Sequence, residues 1–233
     1  MDRTLSAALM VSISYFTLLA LPGIMLYGPL PPPRFLETIV STATHSTLST
    51  LLVIPTSLIL GYTLTFRTEA RYLTTLILST TAIPHTAIGV LLSPIIFNLQ
   101  LTDTSAAIIL GMFIVSTPIG VGVLRASFAA QGVEMEEYLR GMGVRGFRIL
   151  WFYLRASPTS VLLAALLSWF RAFSELGVFL IIAQRPQTVG IYIFEEFLKT
   201  GPTAVISASL ILLGVALVLT LATVVLEGGP RSS

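Results

Sequence analysis

The chain has no cysteine, only two histidines and few charged residues. The absence of cysteine excludes disulfides, thiolate metal sites and cysteine nucleophiles. His45 and His85 lie far apart in the sequence with no acidic residue nearby, so they predict no metal site, and we expect no cofactor in this chain. The motifs GxxxxGK[ST], HExxH and GxSxG are also missing, which argues against a nucleotide-binding loop or a common hydrolase site.

Charge is scarce relative to apolar residues. Charged residues make up 10% of the chain and hydrophobic residues 55%, with a mean hydropathy of +0.91. Soluble domains carry about a quarter charged residues. The composition therefore predicts an all-α protein that crosses the lipid bilayer of the cell membrane several times, because helices satisfy their own backbone groups in lipid. A net charge of +2 gives no reason to expect a nucleic acid partner.

Long apolar stretches divide the chain into membrane spans. A span needs about 20 apolar residues, and six stretches meet this rule within what we predict is a single domain, residues 1–233. Proline lies within the second, third and fourth stretches, where a kink is tolerable, and we expect the third to be irregular. The six predicted spans are residues 5–27, 37–66, 72–98, 105–128, 158–183 and 204–226.

The distribution of Lys and Arg predicts the orientation, because positive loops stay preferentially in the cytoplasm. Of the loops between spans, those on one side of the membrane carry most of the Lys and Arg residues. Those on the opposite, non-cytoplasmic side carry only Arg34, Arg185 and Lys199, and Arg171 lies inside a span. Both termini are therefore predicted to be cytoplasmic. The residues assigned to the cytoplasm are Arg3, Arg67, Arg71, Arg125, Arg140, Arg145, Arg148, Arg155 and Arg231.

Residues 134–155, between the fourth and fifth spans, hold an unusual concentration of charge. Their pattern predicts a short helix, a break at Gly141 and Gly143, and a second amphipathic helix. We call this segment the lobe and predict that it lies on the cytoplasmic surface. From the residues alone, it either docks on a partner protein or rests on lipid headgroups through Arg145 and Arg148.

The lobe resembles the conserved loop of permease subunits of ATP-binding-cassette (ABC) importers, in which Glu-Ala-Ala is followed by three residues and Gly. Glu137 and Gly143 stand at the right spacing, with Tyr138 and Leu139 in place of the two alanines. The proline of the family's later Leu-Pro pair is displaced here. The resemblance implies that Glu137, Tyr138, Leu139, Met142 and Gly143 couple the permease to an ATPase, with Leu139 and Met142 as apolar anchors.

A second segment is similar to the fifth span of the molybdate, tungstate and sulfate branch of these permeases. Its pattern of Arg-Ala-x-x-Glu-x-Gly is present here as Arg171, Glu175 and Gly177. The segment from Thr188, which reads Thr-x-x-Ile-Tyr here, resembles the branch's Thr-x-x-x-Ile-Tyr segment with one residue fewer. The earlier spans also resemble that branch. The resemblance covers nearly the whole chain and implies a six-helix ABC permease bundle.

The resemblance also implies a function and a set of partners. The chain would be a transport subunit rather than an enzyme, importing an oxyanion by alternating access, with molybdate or tungstate favoured. It would form a homodimer with two ATPase subunits, which bind the ATP, and an external substrate-binding protein. The alternatives are a permease for sulfate, phosphate or another solute, a secondary carrier, and an intramembrane enzyme.

Arg171 and Glu175 form the other candidate site. They are four residues apart in apolar surroundings, so they share a helix face and can pair. Ionisable groups within a span are costly and point to function. We expect the pair to hold the pathway-lining helix in position; a purely structural ion pair remains an alternative, and direct contact with the anion is less favoured.

Overall fold

The computed structural model describes residues 3–25 and 28–227, and these ranges contain helices and no strand. The predicted end of the first span at residue 27 lies outside them, as does Arg231. The α-helices, in chain order, are α1 (Arg3–Met25), α2 (Arg34–Phe66), α3 (Arg71–Ser79), α4 (His85–Asn98), α5 (Ser105–Gln131), α6 (Val133–Gly141), α7 (Phe147–Ala156), α8 (Pro158–Phe173), α9 (Phe179–Ile182), α10 (Val189–Thr200) and α11 (Pro202–Glu227).

Three helices are long and apolar enough to cross a membrane alone: Ser6–Met25 within α1, α2, and α5. Two further pairs of helices are long and apolar enough only when each pair is counted as one bent span. In one, Tyr72–Ala82 meets α4 with a bend of 108°, and in the other α7 meets α8 with a bend of 90°. The described residues thus hold three to five candidate spans, and the count of six stays a prediction. Helix α11 coincides with the predicted sixth span, with side chains described as far as Val218.

The predicted third span bends sharply at Pro84. The backbone leaves the short 3-10 helix Thr80–Ala82 through an extended Ile83, whose ψ is 129°, and α4 begins at His85. Proline lacks a backbone N–H and disfavours a helical conformation in the residue before it. The irregularity expected of this span is confirmed, and it places His85 at the first turn of α4.

The predicted fifth span, residues 158–183, is also interrupted, although its apolar run predicts a continuous helix. Helix α8 ends at Phe173 and α9 begins only at Phe179, so residues 174–178 are not helical. No proline causes this break. It is stabilised instead by the side chain of Glu175, described below.

The chain packs as two compact units, Thr38–Ile191 and Met1–Glu37 with Tyr192–Ser233. Helix α5 runs through the core of the first unit and packs most extensively against α8. One apolar cluster surrounds Met112 and Phe179, and a second surrounds Phe128 and Tyr153. The two candidate sites lie beside these clusters.

In the second unit, α1 packs against α11. The Ser207 hydroxyl of α11 donates a hydrogen bond at 2.9 Å to the carbonyl of Gly28, in the loop after α1. Arg34, which follows the proline-rich loop, lies 2.6 Å from Glu196 of α10. Arg34 thus joins that loop to α10.

Gly120 allows α5 to approach its neighbours closely. A Cβ there would lie 2.5 Å from the Ser57 Oγ, 3.0 Å from the Ser168 Oγ and 3.1 Å from a methyl group of Val53. We expect Gly120→Ala to destabilise the protein by about 1–3 kcal/mol through overpacking. Thermal unfolding in detergent measures the effect.

Gly122, two residues further along α5, provides the matched control. A Cβ there would meet only the Leu78 side chain, at an ordinary 3.6 Å. Gly122→Ala is expected to leave stability unchanged or raise it by about 0.5–1 kcal/mol, because alanine restricts the unfolded chain. Equal melting temperatures for the two variants would contradict the close approach at Gly120.

Candidate functional site

The lobe consists of α6 and α7, joined by a turn that Gly143 makes possible. The Val144 N–H donates to the Leu139 carbonyl and the Gly143 N–H to the Arg140 carbonyl, both at 3.0 Å. This pairing is a Schellman motif, in which the residue after the helix adopts a left-handed conformation. Gly143 has φ +81°, which a side chain would strain. The predicted glycine turn is therefore present and has a defined geometry.

Most of the predicted coupling residues lie on the surface of the lobe. Tyr138 is 64% exposed and Met142 55%, and Glu137 is also exposed. The structure differs from expectation at Leu139, which is only 4% exposed and packs in the cluster around Phe128. Its contact with Val144 belongs to the Schellman motif, so Leu139 supports the turn from inside and is not an exposed anchor.

An aromatic cluster attaches the lobe to the ends of α2 and α5. The fully buried ring of Tyr153 in α7 lies at its centre. Ring centroids of Phe128, Phe66 and Tyr62 lie 5.0, 5.4 and 5.9 Å from it. Pairs at these distances favour fixed arrangements. The base of the lobe is therefore packed against the ends of α2 and α5.

Glu136, on the first helix of the lobe, is a buried acid at this base. It is 7% exposed, and its Oε1 accepts a hydrogen bond from the Tyr62 hydroxyl at 2.7 Å and another from the Arg140 Nε. Arg140 Nη2 also donates to the Tyr62 oxygen at 3.2 Å. Burial works to raise the pKa of Glu136, but the bonds from Arg140 and Tyr62 outweigh it and lower the pKa. The carboxylate is therefore charged at neutral pH.

Within the bundle, the structure brings Arg171 and Glu175 together as predicted. Arg171 Nη2 lies 2.7 Å from Glu175 Oε2, and the Glu175 side chain is 1% exposed. His85 joins them, because Arg171 Nη2 lies 2.7 and 2.6 Å from its two ring nitrogens. Glu175 Oε2 is 3.6 Å from His85 Nδ1. The pair is thus part of a three-residue cluster that also involves α4.

Glu175 has a second task in the break between α8 and α9. Its Oε1 accepts a hydrogen bond from the Val178 N–H at 2.8 Å, which supplies an acceptor where the helix is interrupted. Unpaired backbone groups are strongly disfavoured in a membrane. One carboxylate therefore neutralises a cation and stabilises the broken backbone.

The two broken spans meet at their breaks. His85 directly follows the bend at Pro84, and a Cβ on Gly177, in the other break, would lie 2.8 Å from the His85 Cβ. The neighbouring contact is similar, because a Cβ on Gly89 would lie 2.9 Å from the Val178 carbonyl oxygen. Irregular backbone at membrane depth is expected where protein buries it or where it lines a pathway.

No protein-family model matches the chain. Among curated proteins, it is 31% identical over 191 residues to the molybdate/tungstate transport system permease protein WtpB of Pyrococcus furiosus, covering 79% of this chain and 75% of that protein. It is 30% identical over 194 residues to WtpB of Thermococcus kodakarensis, covering 80% and 78%. It is 28% identical over 208 residues to WtpB of Pyrococcus abyssi, covering 88% and 84%.

Proposed function

This chain belongs to the family of molybdate/tungstate transport system permeases, and we propose that it forms the membrane pathway of an ABC importer for molybdate or tungstate. The similarity to WtpB proteins over about four fifths of the chain carries the proposal. The chain is a membrane-embedded transport subunit, and we assign no chemical step to it. ATP binding and hydrolysis belong to a separate ATPase.

The proposed assembly is a homodimer of this chain with two cytoplasmic ATPase subunits and an external substrate-binding protein. Both termini and the lobe face the cytoplasm, as the Lys and Arg distribution predicts. The binding protein docks on the other side, around the proline-rich loop and α10, where Arg34 pairs with Glu196. ATP binding closes the ATPase dimer, draws the lobes together and turns the pathway outward.

The lobe is the proposed docking element for the ATPase. Tyr138 and Met142 present exposed apolar surface beside the exposed Glu137, a combination suited to a groove on a partner protein. Leu139 and Gly143 fix the turn between the two helices. Because its base is packed with aromatic rings, the lobe can move as one body.

The cluster of His85, Arg171 and Glu175 is proposed to fix the two broken spans that line the pathway. Glu175 matches the charge of Arg171, so the cluster presents a weak field to a passing anion. A strong, unpaired cation would hold an oxyanion and slow its release. The cluster therefore positions the pathway and is not the main binding site.

Uptake of labelled tungstate and sulfate into liposomes tests the function, with this chain, its candidate ATPase and its binding protein. Tungstate uptake is expected to require ATP and the ATPase. Faster uptake of sulfate than of tungstate would contradict the proposed substrate. Uptake without the ATPase would favour a secondary carrier.

The variant Gly143→Val tests the lobe within the same assay. A β-branched side chain at φ +81° disfavours the turn by about 1–2 kcal/mol, so uptake is expected to fall several-fold while the bundle stays folded. Gly141→Ala is the control, because a Cβ at Gly141 meets nothing within 4 Å and the residue is helical. Normal uptake by Gly143→Val would contradict the coupling role of the lobe.

A further inference from the structure

Three side chains connect the lobe to the long helix α2. Tyr62 lies near the end of α2, and Glu136 and Arg140 lie one turn apart on α6. Each of the three contacts the other two through the hydrogen bonds described above. We call this group the joint. It is a polar link between two elements separated by more than 70 residues in the sequence.

The joint lies in surroundings that favour strong hydrogen bonds. Glu136 is almost completely buried, whereas the Arg140 side chain is 38% exposed at the rim. The Tyr62 ring packs 5.2 Å from Phe66 and 5.9 Å from Tyr153, centroid to centroid. Hydrogen bonds to a charged group are about twice as strong as neutral ones, and they strengthen further away from water. The joint therefore resists separation of α6 from α2.

Helix α2 reaches from the joint to the opposite end of the same unit. Thr42 is twenty residues before Tyr62, which corresponds to about 30 Å along a helix, the thickness of a bilayer core. There the Thr42 Oγ1 accepts a hydrogen bond from the Val189 N–H at 2.8 Å, and both residues are buried. Helix α2, which is continuous through Pro55, thus contacts the lobe at one end and the start of α10 at the other.

We propose that Tyr62, Glu136 and Arg140 are positioning residues that transmit displacement of the lobe to α2, and through α2 to the segment at Thr188–Val189. The proposal rests on the proposed function, because it assumes that the ATPase moves the lobe. It adds a route by which the pathway responds on the far side of the membrane. The lobe then acts through α2 as well as through α5 and α8, to which the chain connects it directly.

The ratio of ATP hydrolysed to tungstate imported tests the proposal in the reconstituted transporter. Tyr62→Phe removes the hydroxyl group that joins α2 to Glu136 and keeps the ring. We expect uptake to fall about tenfold, the effect of one hydrogen bond to a charged group, while ATP hydrolysis changes little and the melting temperature falls by only a few degrees. Tyr72→Phe, at a residue that is 83% exposed, is the matched control and should keep the wild-type ratio.

A double variant separates a shared task from two independent ones. If the joint acts as a unit, the double variant Tyr62→Phe with Glu136→Gln should hydrolyse no more ATP per tungstate imported than the worse single variant does. Multiplied effects would overturn the proposal. So would Tyr62→Phe lowering uptake and hydrolysis in equal proportion, since a purely structural defect acts on both.

A second readout does not depend on which solute is imported. Because the chain has no cysteine, Gln184→Cys gives it a single thiol, at an exposed position just before the Thr188–Val189 segment. Its labelling rate with an impermeant thiol reagent should change when ATP and vanadate are added, and Tyr62→Phe should abolish that change. A response that survives Tyr62→Phe would overturn the proposal, whereas failure of tungstate uptake with an intact response would contradict only the proposed substrate.

Discussion

Glu175→Gln is expected to lower the melting temperature of the assembled transporter by roughly 10 °C. The glutamine still offers an oxygen to the Val178 N–H, but it removes the charge that neutralises Arg171. Removing one partner of a buried ion pair costs about 3–5 kcal/mol because the other charge is left uncompensated. We expect the lower end of that range, since the Arg171 side chain retains 19% exposure.

A second substitution at Arg171 should reverse most of this loss. In the double variant Arg171→Met and Glu175→Gln neither charge remains, and replacing a buried ion pair with neutral groups is often close to neutral in stability. The melting temperature is expected to return to within a few degrees of the wild-type value. A double variant as unstable as Glu175→Gln would show that the pair itself holds the fold.

The surface pair of Glu195 and Lys199 supplies the control. Its nitrogen–oxygen distance is 3.4 Å and the Lys199 side chain is 59% exposed, so Glu195→Gln should change stability by less than about 1 kcal/mol. Tungstate uptake by the double variant then separates two roles of the cluster. We expect the folded double variant to import less tungstate than the wild type. Full uptake would show that the cluster has only a structural role.

The cluster was only half predictable from the sequence. Spacing on a helix predicts that Arg171 meets Glu175, because residues four apart share a face. The pair does form, but the expected shared helix face is wrong, since α8 ends at Phe173 and Glu175 lies in the break. His85 is 86 residues away, and only the bend at Pro84 together with the break after Phe173 brings it there. Sequence periodicity describes one helix at a time and says nothing about which two breaks will meet. The one indication in the sequence was that His85, a polar residue within an apolar stretch, directly follows Pro84.

The lobe shows the same limit at the level of single side chains. Its two helices and its glycine turn follow from the pattern of charges, apolar residues and glycines. Glu136 and Leu139, however, turn toward the bundle, because Tyr62 and Phe128 provide a hydroxyl donor and an apolar surface there. Which face of a short helix is buried depends on these partners. The sequence offered no direct indication of Tyr62.

The class of the protein was more accessible than its detailed path through the membrane. Scarce charge and long apolar stretches predict a helical membrane protein, and the resemblance to oxyanion permeases is confirmed by the WtpB relatives. Hydropathy does not reveal the interruption of the fifth apolar stretch at residues 174–178. That break is stabilised by a single side chain, because Glu175 accepts the hydrogen bond of the Val178 N–H. Length and apolarity predict a span but not its continuity.

Gly177→Ala is expected to be strongly destabilising because it separates the two breaks. The new Cβ would lie 2.8 Å from the His85 Cβ and 3.1 Å from the Thr86 nitrogen, atoms that cannot rotate away. Relief requires α4 to move, which draws His85 away from Arg171 as well. We expect a loss of about 3 kcal/mol, at the upper end of the range for overpacking.

Thermal unfolding and tungstate uptake of the assembled transporter measure this loss. Gly214→Ala in α11 is the control, because a Cβ there meets nothing within 4 Å. The control should be as stable as the wild type or slightly more stable, since alanine favours a helix by about 1 kcal/mol over glycine. If Gly177→Ala melted and transported like Gly214→Ala, the two broken spans would not meet at His85, and the role proposed for the cluster would fail with that contact.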